Sequence, residues 1–340
     1  MFRNVLCLAL GLIVGMQLTE LWDYWTLTGE EYESTAIAAD TAAPIHTALA
    51  RASLADWLYH ETRVLCLVLT MPAHHKTKAA KVMSTWGARC NKLIFMSSQD
   101  DDVLGAVNLN VSESRDNLYA KMRAGFAYAY EHHVEDYDWF LKADDDTYVV
   151  MENLRLFLYP FDPEAPVFFG HRFRTSYPHG YMSGGAGYVL SRDALRRLNL
   201  FALNNTKFCP LNTNAEDRQI GYCLLNVGVA AGDSRDERGR ERFLPLHPRH
   251  LMPQIQKGTW LDTYSYFKPN LSDCCSDSAI SFHYTKMHEY DRYEFFLYHL
   301  RVHGLPEKLS VLPARLTYKQ MEEKIDFWNQ QISDKTTPLD

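Results

Sequence analysis

The most restrictive stretch of this chain is Trp139-Phe-Leu-Lys-Ala143, which runs directly into Asp144-Asp145-Asp146-Thr147-Tyr148-Val149. The first five residues form a short, mostly apolar, β-prone run of the kind buried in a sheet. Three adjacent carboxylates repel one another, and the end of a buried strand is a costly place for their charge without a cation. A divalent metal meets that need. Alternate residues of an extended segment share a face, so Asp144 and Asp146 can address one ion while Asp145 points away. A solvated acidic turn is the plainer alternative. The strand-end position argues against it, because open α/β sheets bind ligands beyond the carboxyl ends of their strands.

The surrounding pattern supplies such a sheet. Arg63–Met71 (RVLCLVLTM) is a continuous β-prone run closed by Pro72, followed by a helical stretch through Ala80, Met83 and Trp86. Lys92–Ser97 and Ala106–Val111 read as further strands, and Asp116–His132 as a helix with Leu118, Met122, Phe126 and Tyr130 on one face. Alternating strands and helices over 63–150 predict an α/β fold with a mainly parallel central sheet and flanking helices. The second half is less regular: a strand near Val167–Phe173, then helices near Arg192–Leu198, Glu216–Val227 and Tyr290–Val302. Residues 317–332 form an amphipathic helix with Met321, Ile325 and Trp328 at helical spacing, which leaves core packing and a subunit contact, hence a homodimer, both open.

The amino end sets the compartment. Val5–Leu18 is almost wholly apolar, follows Arg3, and precedes Trp22 and Trp25, as expected of a signal-anchor whose amino end is cytoplasmic. A cleaved signal peptide is the rival, but no small-residue cleavage signature follows the run directly. Either way the bulk of the chain is lumenal or secreted. Residues from about 19 to 60 lack periodicity and read as a stem. Three sequons, at Asn110, Asn204 and Asn270, agree with that placement as candidate glycosylation sites. Setting aside Cys7 in the apolar run leaves six cysteines, and six allow fifteen pairings. Loop length and neighbourhood favour Cys66 with Cys90 and Cys209 with Cys223, leaving the adjacent Cys274 and Cys275 as a vicinal pair. No CxxC pair suggests zinc. Lys plus Arg 35 against Asp plus Glu 42 gives a net charge of -7, so no overall positive field attracts nucleic acid.

An ion held by one or two carboxylates and completed by phosphate oxygens is the usual arrangement for Mg²⁺ or Mn²⁺ in nucleotide sites. In a secretory compartment that points to a nucleotide-sugar donor. Tyr181-Met-Ser-Gly184-Gly185-Ala-Gly187-Tyr188 is too glycine-rich for a simple strand and allows close approach of a ligand, although a plain β-bulge would use glycine too. It matches neither a P-loop nor GxGxxG.

WFLKADDDTYV, GYMSGGAGYVLS, AGDSRD and CCSDSAISFHY, in that order, resemble the core 1 branch of the β1,3-glycosyltransferase family that also contains the Fringe enzymes. The similarity runs from about Arg63 to Gly304. It implies a metal-dependent, inverting enzyme of GT-A type α/β fold. Together with the reading of the amino end, it divides the chain into a tail at 1–4, an anchor at 5–22, a stem at 23–60, a catalytic domain at 61–315 and a helical tail at 316–340. It also implies a Golgi membrane protein, single-pass type II, with its catalytic domain lumenal. By the same resemblance Asp146 is the principal metal ligand, Asp144 lies near the metal or the ribose, and His283 completes the site. An imidazole beside carboxylates favours Mn²⁺ over Mg²⁺. Met71, Glu113, Arg115, Asp116, Lys121, Asp144 and Tyr284 are expected at the nucleotide. Without the resemblance, Arg115 and Lys121 read as an ordinary solvated helix start.

Inversion at an anomeric carbon requires one displacement, with a base taking the acceptor's proton. Glu216-Asp217 occupies the family's Glu-Asp position, although acidic residues also favour helix starts on their own account. Asp217 is the expected base and Glu216 an orienting group. Gly185, Glu216 and Trp260 are the expected acceptor contacts, since the C–H face of a sugar packs on an aromatic ring. The segment after Trp260 departs from the family pattern: relatives carry Trp-Tyr-Trp-Asn where this chain has Trp260-Leu-Asp262-Thr. The implied activity is transfer of galactose from UDP-galactose to O3 of GalNAc on serine or threonine of glycoprotein acceptors. A β1,3-transferase with a different acceptor and an inactive chaperone-like paralogue are the alternatives; intact Asp144, Asp146, Asp217 and His283 oppose the latter.

Overall fold

The computed structural model describes residues 54–211, 215–252, 257–270, 272–301 and 312–333, so the expected tail, anchor and stem lie outside the described residues apart from the last few stem positions. Among the described residues no helix is long and apolar enough to cross a membrane. The strand β1 (Val64–Leu69) has all six residues buried. Val64, Cys66 and Val68 enter one apolar layer, while Leu65, Leu67 and Leu69 enter another on the opposite face. That division explains the unbroken hydrophobic run, because a central strand covered on both sides has no polar face.

The remaining strands are β2 (Lys92–Ser97), β3 (Ala106–Asn108), β4 (Trp139–Asp144), β5 (Tyr148–Val149), β6 (Val167–Gly170), β7 (Arg172–Phe173), β8 (Tyr181–Met182), β9 (Tyr188–Ser191), β10 (Ala230–Ala231), β11 (Phe243–Leu244) and β12 (Ser281–Phe282). A seven-stranded sheet runs in the order β10-β6-β9-β4-β1-β2-β3. Every pairing is parallel except those of β9 with β4 and β6, so the sheet is mixed but mainly parallel. Register sets Leu69 beside Asp144, bringing the ends of the two central strands level. The helix Leu118–His133 packs Met122, Phe126 and Ala129 into one layer with Phe140. Trp139, Leu141 and Ala143 alternate into the other layer, so Lys142 and Asp144 share the face of Phe140.

Local departures from the expected elements have local causes. The strand expected over 106–111 stops at Asn108, and Asn110 adopts the left-handed conformation with φ 55°. The run 167–173 divides at His171, its first part in the main sheet and β7 paired with β8 in a separate ribbon. The helix expected from Tyr290 begins at Met287, where Glu289 accepts a hydrogen bond from the Lys286 N–H at 2.9 Å, and it passes into a π-helical turn over Phe295–His299. The helix Tyr318–Ser333 inserts Met321 and Trp328 into the core, with the Trp328 ring edge-on to Phe169 at 5.9 Å. The three cysteine pairs are those expected, Cys66–Cys90, Cys209–Cys223 and Cys274–Cys275, with Cα separations of 6.1, 4.8 and 3.7 Å. Asn110, Asn204 and Asn270 are all exposed.

Candidate active site

The carboxyl ends of β1 and β4 open into a cleft of about 390 Å³ whose wall includes Met71, His74, Glu113, Lys121, Asp144, Asp145, Asp146, Gly185, Glu216 and Asp217. Two strands, the glycine loop and the start of the helix Glu216–Asn226 thus converge at the position that α/β topology favours for ligands.

The three aspartates divide as alternation predicts. Ligand atoms of Asp144, Asp146 and His283 lie within 4.8 Å of one another. His283 follows β12, which pairs with β5 just beyond the aspartates, and its Nε2 is 3.5 Å from Asp146 Oδ1. Burial pushes the Asp146 carboxyl up, but the hydrogen bond and charge of His283, with Lys78 and Lys142, outweigh it and hold the group below the usual carboxylate range. Gly185 leaves the space His283 needs: a Cβ at that position would lie 2.0 Å from the imidazole Cε1. Tyr284, with φ 55°, stacks on the His283 ring at 3.8 Å and is 54% exposed.

The expected dependence of all three carboxylates on a bound cation needs correcting. Asp145 is buried, and its charge is met by protein: Thr70 Oγ1 donates at 2.8 Å, His74 Nδ1 lies at 2.7 Å and Lys78 Nζ at 3.3 Å. Asp144 accepts from Lys142 Nζ at 2.7 Å. Among the described residues, Asp144, Asp146 and His283 are the group that could hold a metal.

Lys142, like His74, is a residue that sequence reasoning missed. Its side chain is 2% exposed, and its ammonium also donates to the Gly184 carbonyl at 3.0 Å and lies 3.5 Å from Glu216 Oε2. Burial alone would lower its pKa; the charges of Asp144 and Glu216 outweigh that and raise it, so it stays cationic. A lysine inside an apolar strand two positions before the aspartates was the available signal. Glu216 is also buried and accepts from Tyr188 Oη at 2.7 Å. Burial pushes its carboxyl up to about 7 despite Lys142, with Asp217 adding to the rise. Asp217 is less enclosed: Oδ2 accepts from the Gly184 N–H at 2.9 Å and Oδ1 from the Arg218 N–H at 2.8 Å.

The structure brings most expected residues together and leaves some outside the cleft wall. Lys121 lines the cleft, but its buried ammonium is bound to both oxygens of Glu113, at 2.6 and 2.7 Å, and to the Thr70 carbonyl. Its charge serves Glu113 first. Arg115 and Asp116 are exposed on the turn before the helix Leu118–His133. Trp260 begins a five-residue helix, 48% exposed, with its ring 5.6 Å from Phe173.

The Fringe-like family model matches residues 60–284, which span every cleft residue named above. The chain is 44% identical over 257 residues to glycoprotein-N-acetylgalactosamine 3-beta-galactosyltransferase 1 of Xenopus laevis, covering 74% of this chain and 71% of that protein. It is 28% identical over 169 residues to beta-1,3-glucosyltransferase of Mus musculus, covering 49% of this chain and 34% of the relative. Chondroitin sulfate synthase 3 of Homo sapiens is 24% identical over 181 residues, covering 47% of this chain and 20% of the relative. With the family model spanning well over half its length, the chain belongs to the Fringe-like family.

Proposed function

We propose that this chain is an inverting galactosyltransferase of GT-A type that moves galactose from UDP-galactose to O3 of GalNAc α-linked to serine or threonine of glycoproteins. The observation that carries the proposal is that Asp144, Asp146, His283 and Asp217 converge at one strand-end site in a chain 44% identical to the Xenopus enzyme of that name.

The residues fit a divalent ion. Two carboxylates and an imidazole converge within 4.8 Å, and this mixed oxygen and nitrogen set suits Mn²⁺ better than Mg²⁺. Bound there, Mn²⁺ would supply positive charge to the leaving diphosphate. Asp217 then acts as base, with one carboxylate oxygen steadied by the Gly184 N–H. It takes the proton of the acceptor O3 hydroxyl as the O3–C1 bond forms and the C1–O bond to the diphosphate breaks, the electron pair departing with UDP. One displacement turns an α-linked donor into a β-linked product. Glu216, tied to Tyr188 and Lys142, holds the start of the base's helix against the glycine loop.

The compartment follows from the same reading. A Golgi membrane location, with an N-terminal anchor and a lumenal catalytic domain, is supported by three cysteine pairs and three exposed sequon asparagines, features of oxidising secretory compartments. The departure over Leu261–Thr263 favours one second reading, a different acceptor on the same donor chemistry. The test incubates the full chain with Mn²⁺, a GalNAcα-threonine peptide or, in parallel, a panel of other acceptor sugars, and UDP-galactose, UDP-glucose or UDP-GlcNAc in turn. Galactose transfer is expected. Binding of UDP without galactose transfer to this peptide would reject the assigned reaction, and transfer to another acceptor sugar would establish the second reading.

A further inference from the structure

We propose that His74, held by Asp145, binds the diphosphate of the donor nucleotide through Nε2. The inference rests on the donor being a nucleoside diphosphate sugar and assigns a task to the middle aspartate, which faces away from the metal ligands. Asp145 is almost enclosed, its side chain 9% exposed, and its carboxylate is met by Thr70, His74 and Lys78. Those three partners come from one segment, the end of β1 and the turns that follow it. The carboxylate therefore clamps this segment to the acidic turn after β4.

The clamp sets the imidazole's orientation. A carboxylate 2.7 Å from Nδ1 keeps a proton on that nitrogen and leaves Nε2 as the atom free to meet a ligand. Among the described residues Nε2 has no hydrogen-bond partner. The side chain is 32% exposed and belongs to the same cleft wall as Asp144 and Asp146. A diphosphate at those aspartates would present its oxygens to this wall. Phosphate oxygens only accept, so the proposed contact takes a ring that carries an N–H on both nitrogens, one donated to Asp145 and one to phosphate, while Lys78 Nζ lies 3.3 Å from the same carboxylate. No bond forms or breaks at His74. It is a binding residue whose contribution is a charge-assisted hydrogen bond to the group that leaves.

A purely structural role would treat all ligands alike, so the experiment compares a ligand that carries the diphosphate with one that does not. Titration calorimetry on the full chain in Mn²⁺ measures UDP and uridine affinities for the unaltered protein, His74→Ala and Asp145→Asn. For His74→Ala, UDP affinity is expected to fall about tenfold or more, the scale of one charge-assisted hydrogen bond, with uridine affinity within about twofold. Asp145→Asn should weaken UDP selectively as well, and adding it to His74→Ala should cost less than about twofold more, because the two act as a unit. Unchanged UDP affinity in His74→Ala, or equal losses of UDP and uridine, overturns the inference while leaving the donor reading intact. Failure of the unaltered chain to bind UDP overturns both.

Discussion

The two sides of the cleft are built differently. On the side proposed to hold the donor the charged groups gather around the ends of the buried strands β1 and β4 and the helix Leu118–His133, and these are matched: Lys142 with Asp144, Lys121 with Glu113, and Asp145 with Thr70, His74 and Lys78. On the side expected to meet the acceptor, Trp260 and Tyr264 are 48% and 51% exposed on a five-residue helix, beside a ribbon of two-residue strands. A sheet holds its strand-end groups to narrow tolerances, whereas short elements at the surface tolerate sequence change. The arrangement suits an enzyme that keeps one class of donor and varies its acceptor. The divergence after Trp260 falls on the permissive side.

Substitutions can break this contrast. The largest effect is expected from Asp146→Ala, which removes a proposed metal ligand: Mn²⁺-dependent transfer should fall by about 10³ or more, with weakened UDP binding in the presence of Mn²⁺. Asp217→Asn should lower kcat by about 10²–10⁴ while calorimetry finds UDP affinity within about twofold, since the base acts on the acceptor. Loss of UDP binding in that variant would remove Asp217 from the base role. Lys142→Met leaves Asp144 and Glu216 without their shared cation, and urea unfolding should register a loss of about 3–5 kcal/mol. Adding Glu216→Gln should recover part of it, whereas full additivity would separate the two residues. The smallest effect belongs to the permissive side: Trp260→Ala should raise the acceptor KM about tenfold, the scale of one aromatic contact, with the donor KM unchanged.

The same contrast governs what could be read in the sequence. The strand β1 was legible because burial on both faces writes itself as an unbroken apolar run, β2 and β4 because their residues are mostly apolar and β-prone, and Asp144 to Asp146 because charge at such a strand end demands an explanation. The division of 167–173 between two sheets was not, since Val167–Phe173 is equally β-prone throughout and only its partners differ. His283 depended on resemblance, because nothing local distinguishes it from the other histidines until β12 sets it beside the aspartates. Lys142 and His74 were missed for one physical reason. Their roles are defined by groups distant in the chain, Gly184 and Glu216 for Lys142 and Asp145 for His74, and periodicity says nothing about such meetings.

In the proposed reaction donor and acceptor meet in one cleft, Asp217 serves as base, and transfer proceeds by a single displacement. Proton NMR of the disaccharide formed from UDP-galactose and a GalNAcα-threonine peptide tests this directly. Galactose β-linked to O3 of GalNAc is the expected product. An α-linked product would rule the proposed reaction out, because in-line displacement at C1 by a base-activated hydroxyl inverts its configuration.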